Sequence, residues 1–71
     1  MITITIEGPE HAKKTTTIAA IKKALDSHGV EVQVQQIDPQ IDDKLNLTAD
    51  ELTNALQGVK VRILEFQTRG S

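Results

Sequence analysis

The amino-acid sequence predicts a small α/β protein, a two-layer sandwich in which both helices cover one face of a three-stranded sheet. Apolar and polar residues alternate in three segments, as in strands with one buried face. Helical patterns lie between these segments, so the predicted order is β-α-β-α-β. The 71 residues are expected to form a single small domain over residues 1–67, followed by a disordered tail at residues 68–71.

The first half of the chain contains two predicted strands and the first helix. Isoleucines alternate with threonines in residues 1–7, and valines alternate with Glu and Gln in residues 30–35. A helix is expected to begin at Lys14. Gly29 should end this helix, as Gly58 should end the second one, because glycine readily adopts the left-handed conformation found there. The apolar residues at helical spacing are Ile18, Ile21 and Leu25.

The second half is expected to supply a loop, a helix and the last strand. Residues 38–46 combine turn formers with charge and have no apolar period, which indicates a long loop. Thr48 and Glu51 fit a capping box, so a helix should cover residues 48–57. Residues 59–66 form the last predicted strand.

Alternation within the predicted strands indicates that one face of the sheet is open. Both helices should therefore lie on the other face. The sheet is parallel with spatial order 1-2-3, or mixed with the third strand antiparallel, and the sequence does not choose between them. The predicted core consists of Ile4, Ile6, Ile21, Leu25, Val32, Val34, Leu56 and Ile63.

A phosphate-binding pattern lies between the first predicted strand and the first predicted helix. The segment from Gly8 to Thr15 matches G-x-x-x-x-G-K-[ST] except at Lys13, which stands in place of the second glycine. In such a loop Lys14 would reach the outer phosphates, Thr15 would bind magnesium, and His11 could contact a phosphate. A side chain held at positive φ at position 13 would cost about 1–2 kcal/mol.

This part of the chain resembles the opening β-α-β unit of P-loop nucleoside and nucleotide kinases. It also resembles small P-loop-like proteins of phage and prophage. The resemblance covers roughly the first half of the sequence and rests on residues 2–10, 14–21, 25 and 29–32. It implies phosphate contacts for Gly8 and Lys14 and a magnesium contact for Thr15, in a loop that is degenerate at Lys13.

Composition narrows the function classes. The chain has no cysteine, which excludes disulfides and thiolate metal sites. A net charge of −2, with no Tyr or Trp and one Phe, argues against nucleic-acid binding. The longest apolar runs are a few residues long, so no membrane segment is expected and a cytoplasmic location is predicted. No catalytic, metal-binding or cofactor-binding set of side chains can be assembled.

The last predicted strand carries a candidate contact surface. If its odd-numbered residues face the helices, then Arg62, Leu64 and Phe66 lie on the open face of the sheet. An exposed apolar patch of this kind indicates a contact, here a homodimer first and a host or phage protein second. The alternative is that Phe66 folds over the sheet edge and covers its own core.

Two functional hypotheses follow from the sequence. The first is a small non-catalytic interaction or regulatory protein of phage type, with a degenerate phosphate-binding loop. The alternative is a minimal P-loop protein that binds phosphate or a nucleotide weakly, with weak or no hydrolysis. The side chains assigned to the loop are Gly8, His11, Lys13, Lys14 and Thr15.

Overall fold

The computed structural model describes residues 1–35 and 39–67, and within these ranges the protein is helical. Helix α1 covers Lys14–Asp26, α2 covers Ile41–Leu45 and α3 covers Ala49–Ala55. None of these helices has the length and apolar character needed to cross a membrane. The expected tail at residues 68–71 lies outside the described residues.

The predicted α/β sandwich is wrong, because the described ranges contain no strand and therefore no sheet. Residues 1–7, 30–35 and 59–66 keep their alternating sequence without pairing. Alternation reports a tendency toward extended chain, but a strand exists only when another strand bonds to it. Those pairings join segments that are distant in sequence, so their loop-closure entropy must be offset by burial that this chain does not achieve.

Helix α1 begins where the sequence predicts and ends in a glycine cap. The N–H of Gly29 donates to the carbonyl of Asp26 at 3.0 Å, and the N–H of Val30 donates to that of Leu25 at 3.2 Å. This pair of bonds defines a Schellman motif. Gly29 has φ 76°, which confirms its predicted role at the helix end.

Helix α2 corrects the predicted loop. Of the segment 38–46, residues 41–45 are helical, and residue 38 lies outside the described part of the chain. The helix packs against α1. Beyond it, the Lys23 ammonium group on α1 donates a hydrogen bond to the carbonyl of Leu47, which fixes the start of the next connection.

Helix α3 begins with the predicted capping box. The N–H of Glu51 donates to the Thr48 hydroxyl oxygen at 3.2 Å, and the N–H of Thr48 donates to Glu51 Oε1 at 2.9 Å. The helix ends at Ala55, two residues earlier than expected. Gly58 follows with φ 80°, as predicted for a residue that ends a helix.

The core lies at the contact of α1 with the other two helices. Among the described residues its buried apolar members are Ala19 and Leu52, which are 0% and 7% exposed. Thr16 and Thr17 are also buried. No large side chain in the described ranges is fully buried.

The predicted core is wrong at two positions and overstated at the others. Ile4 is 56% exposed and Ile63 is 88% exposed, because both lie in segments that were expected to be strands and did not pair. The remaining members are half-buried: Ile6, Ile21, Leu25, Val32, Val34 and Leu56.

The molecule exposes more surface than a compact chain of its mass. Its accessible area is 6484 Å², whereas a compact 7.8 kDa monomer is expected to expose about 4,400 Å². The radius of gyration is 13.0 Å, against about 11 Å for a compact domain of this length. The excess of about 2,000 Å² is surface that a typical monomer would bury.

Candidate functional site

The loop before α1 contains two residues in the left-handed conformation. Lys13 has φ 67° and ψ 39°, and His11 has φ 65°. Position 13 is the position at which the sequence pattern calls for glycine, so the expected strain at Lys13 is present. The carbonyl of Lys13 accepts hydrogen bonds from both the N–H and the hydroxyl of Thr17, which anchors the loop to the first turn of α1.

The two lysines of this loop are engaged by carbonyl groups of the chain itself. Lys14 Nζ curls back over the loop and donates to the carbonyls of Gly8 at 2.7 Å and Pro9 at 3.0 Å. Lys13 Nζ donates to the carbonyl of Ala55 at the C-terminal end of α3, where the helix dipole favours a cation. A phosphate would have to compete with these bonds for both ammonium groups.

The predicted P-loop is wrong in its structural context. A P-loop joins a strand to a helix, and the described residues before Gly8 form no strand. The structure also does not require glycine at position 8. The φ angle of Gly8 is not positive. A β-carbon at this position would lie 3.4 Å from its nearest neighbour, Ala12 Cβ, which is an ordinary contact distance. Phosphate contact by the individual loop residues stays a prediction.

Helix α2 and its N-cap residue, Gln40, place side chains beside the loop, and the sequence pattern did not indicate this. Gln40 and Lys44 line a cavity of about 560 Å³ together with loop residues and the first turn of α1. Ile41 and Leu45, at i, i+4 spacing, are the sequence signal that could have revealed this short helix. The loop and first-turn residues in the lining are Glu10, His11, Ala12, Lys13, Lys14, Thr15 and Thr16.

The N-terminal and C-terminal segments lie on either side of a smaller cleft. Its volume is about 220 Å³, and its walls include residues 5–9 on one side and residues 59–62 on the other. Lys14 and Thr17 of α1 also line it. The two predicted strands therefore lie near each other without forming a ladder.

The candidate contact surface is open to solvent. Arg62 is exposed, Leu64 is 60% exposed and Phe66 is 81% exposed. Phe66 therefore does not cover the core, contrary to the alternative raised from the sequence. In the described chain no backbone hydrogen bond joins residues 60–67 to another segment.

The capping box of α3 shifts the pKa of one carboxyl group. The pKa of the Glu51 carboxyl is lowered, first by the hydrogen bond from the Thr48 backbone N–H and then by the Thr48 hydroxyl, with a smaller effect of the Lys23 charge. This shift belongs to the helix cap. Within residues 1–35 and 39–67, no group of His, Asp and Glu side chains is placed to hold a metal ion.

No protein-family model, curated protein or solved structure matches this chain. The resemblance to nucleotide kinases and to phage proteins therefore stays a prediction from sequence.

Proposed function

We propose that this protein is a small non-catalytic interaction module of phage type that binds another polypeptide through residues 59–67. Arg62, Leu64 and Phe66 form its contact surface. The first partner is a second copy of the chain, and a host or phage protein is the second. A cytoplasmic location is part of the proposal.

One observation carries this function, the excess of exposed apolar surface along the C-terminal segment. Val61, Ile63, Leu64 and Phe66 are 57%, 88%, 60% and 81% exposed. Isolated exposed apolar residues are normal on a protein surface, whereas several in succession indicate a contact site. The core of the described chain is small by comparison, because its buried apolar residues are Ala19 and Leu52.

The energy available from this surface supports a partner-dependent module. Full burial of Leu64 and Phe66 would contribute about 1.5–3 kcal/mol for each side chain. That amount alone gives weak association, since binding also has to offset lost translational and rotational freedom. This burial energy is nevertheless large compared with the free energy of unfolding expected for so small a core.

Sedimentation velocity of a double variant tests the proposal. Phe66→Ser with Leu64→Thr removes both apolar side chains from an exposed segment, so the helices should be unaffected. The expected result is that the unmodified chain associates with increasing concentration and the variant remains monomeric. The circular dichroism spectra of the two proteins should agree.

Val30→Thr provides the matched control, because Val30 is an exposed β-branched residue, 46% accessible, outside the contact surface. This variant should associate as the unmodified chain does. If the double variant associates with unchanged affinity, the contact surface is misassigned. If the unmodified chain is monomeric at several hundred micromolar, a second copy is not the partner, and the proposal then depends on a different polypeptide.

A further inference from the structure

We infer that two copies of this chain pair through antiparallel association of residues 61–67, about a two-fold axis at Leu64. This inference rests on the proposed function and specifies its partner and geometry. It depends on two properties of the C-terminal segment, its unpaired main chain and the positions of its charges. It also depends on the exposed area of the whole molecule.

The main chain of this segment is available for pairing. Residues 60–67 are exposed, and in the described part of the chain their backbone groups form no hydrogen bond with another segment. Their sequence begins with the alternation typical of a strand and includes three residues that favour strands, the β-branched Val61 and Ile63 and the aromatic Phe66. An unpaired segment of this composition is a template for another extended chain, which supplies the missing N–H and C=O partners.

The exposed area matches the requirement of a dimer. A stable interface of ordinary size buries about 800 Å² on each partner. The molecule exposes 6484 Å², which exceeds the area of a compact chain of this mass by about 2,000 Å². The excess is larger than the area that one such interface buries, and the exposed residues 61–67 contribute part of it.

Charge excludes three of the symmetric registers. In an antiparallel pair, directly opposite side chains lie on the same face, so a two-fold axis sets one residue opposite its own copy. An axis at Arg62 or at Glu65 would oppose two like charges. An axis at Val61 would oppose Lys60 and the partner's Arg62, which destabilises the pair in the same way.

An axis at Phe66 pairs only three residues of the segment 61–67 with its copy, and an axis at Gln67 pairs only one. Of the two remaining axes, at Ile63 and at Leu64, the second sets all three residues of the contact surface opposite one another. It sets Leu64 opposite the partner's Leu64, and it sets Arg62 opposite the partner's Phe66 on both sides of the axis. The guanidinium group can then lie over the aromatic ring. An axis at Ile63 would instead set Leu64 opposite the partner's Arg62 and separate the two leucines.

Single-cysteine crosslinking tests this register on an otherwise cysteine-free chain. Directly opposite residues in a strand pair have Cα atoms about 4.5–5.5 Å apart, within the range that a disulfide spans. Leu64→Cys should therefore form a disulfide-linked dimer under oxidised glutathione. Ile63→Cys and Val61→Cys, whose sulfur atoms lie away from the axis, should give several-fold less dimer. Circular dichroism of each variant checks that its helices are kept.

The other outcomes separate the inference from the proposed function. Preferential crosslinking of Ile63→Cys would overturn the register. If none of the variants crosslinks while the unmodified chain still sediments as a dimer, strand pairing is wrong and the contact surface stands. A chain that is monomeric at several hundred micromolar overturns self-pairing, and the module then requires a different polypeptide.

Discussion

At the scale of single residues, Lys13 determines the character of the loop. Its side chain is held in the left-handed conformation, at φ 67°, and its ammonium group bonds to the carbonyl of Ala55. The strain and the bond act in opposite directions on stability. Substituting Lys13 with glycine or with alanine separates the two effects. Both substitutions remove the hydrogen bond to Ala55, and only glycine relieves the backbone strain.

Lys13→Gly should be more stable than Lys13→Ala by about 1 kcal/mol, since glycine adopts positive φ without the steric cost that a β-carbon imposes. Urea denaturation of the two variants, followed by circular dichroism, measures this difference. Equal free energies of unfolding would mean that position 13 is not held in the left-handed conformation in solution.

At the scale of secondary-structure elements, the capping box makes α3 sensitive to acid. The pKa of Glu51 lies below its ordinary value of 4.5, first because the Thr48 backbone N–H donates to the carboxylate. The folded state therefore holds its proton less tightly than the unfolded state. This contribution to stability is present above the ordinary pKa and is lost as the pH falls through the folded-state pKa.

Glu51→Gln should consequently lose less stability than the unmodified chain when the pH falls from about 7 to about 3. Thermal unfolding at several pH values gives the comparison. Asp50→Asn is the matched control, because it removes a carboxylate from the same helical turn and leaves the capping box intact. If Asp50→Asn and Glu51→Gln change the acid sensitivity equally, the capping box is not the cause of that sensitivity.

Sequence signals that act locally predicted their elements correctly. The capping box at Thr48 and the helix-ending glycines, Gly29 and Gly58, depend on residues a few positions apart, and each is present. The prediction of three strands was wrong because a strand must pair with a segment distant in the sequence. Alternation of apolar and polar residues does not show whether such a partner is available. Helix α2 was missed because its Asp42 and Asp43 resemble turn residues.

The same distinction applies to the candidate site. The left-handed strain at Lys13 follows from one residue type at one position, and the sequence predicted it. The bonds of Lys13 to Ala55 and of Lys14 to Gly8 depend on how the chain folds back on itself. Sequence spacing indicates neither bond, and the motif alone predicts that the lysines contact a phosphate.

Leu52 is the buried side chain of α3. Leu52 is 7% exposed, whereas Ile63, also an expected core residue, is 88% exposed. Leu52→Ala should destabilise the protein by about 2–5 kcal/mol, enough to unfold much of the chain. Ile63→Ala should change stability little in dilute solution. Urea denaturation of both variants at low micromolar concentration checks the contrast, and equal losses would contradict it.

At the scale of the whole molecule, the chain forms local helices and leaves its strand-like segments unpaired. The core within the described residues is small, and the area of 6484 Å² is that of an expanded chain. Most proteins of similar mass bury such segments internally. Here the surface that would complete the fold is available to a partner, so association and stability should be coupled.

Amide hydrogen exchange by NMR, recorded over a range of protein concentrations, tests this account most directly. In dilute solution the amides of residues 60–67 should exchange without protection, because their N–H groups bond to water. At several hundred micromolar they should become protected as copies pair, while the amides of α1 change little. Protection of residues 60–67 that is already complete in dilute solution would contradict the account, since the segment would then be paired within its own chain.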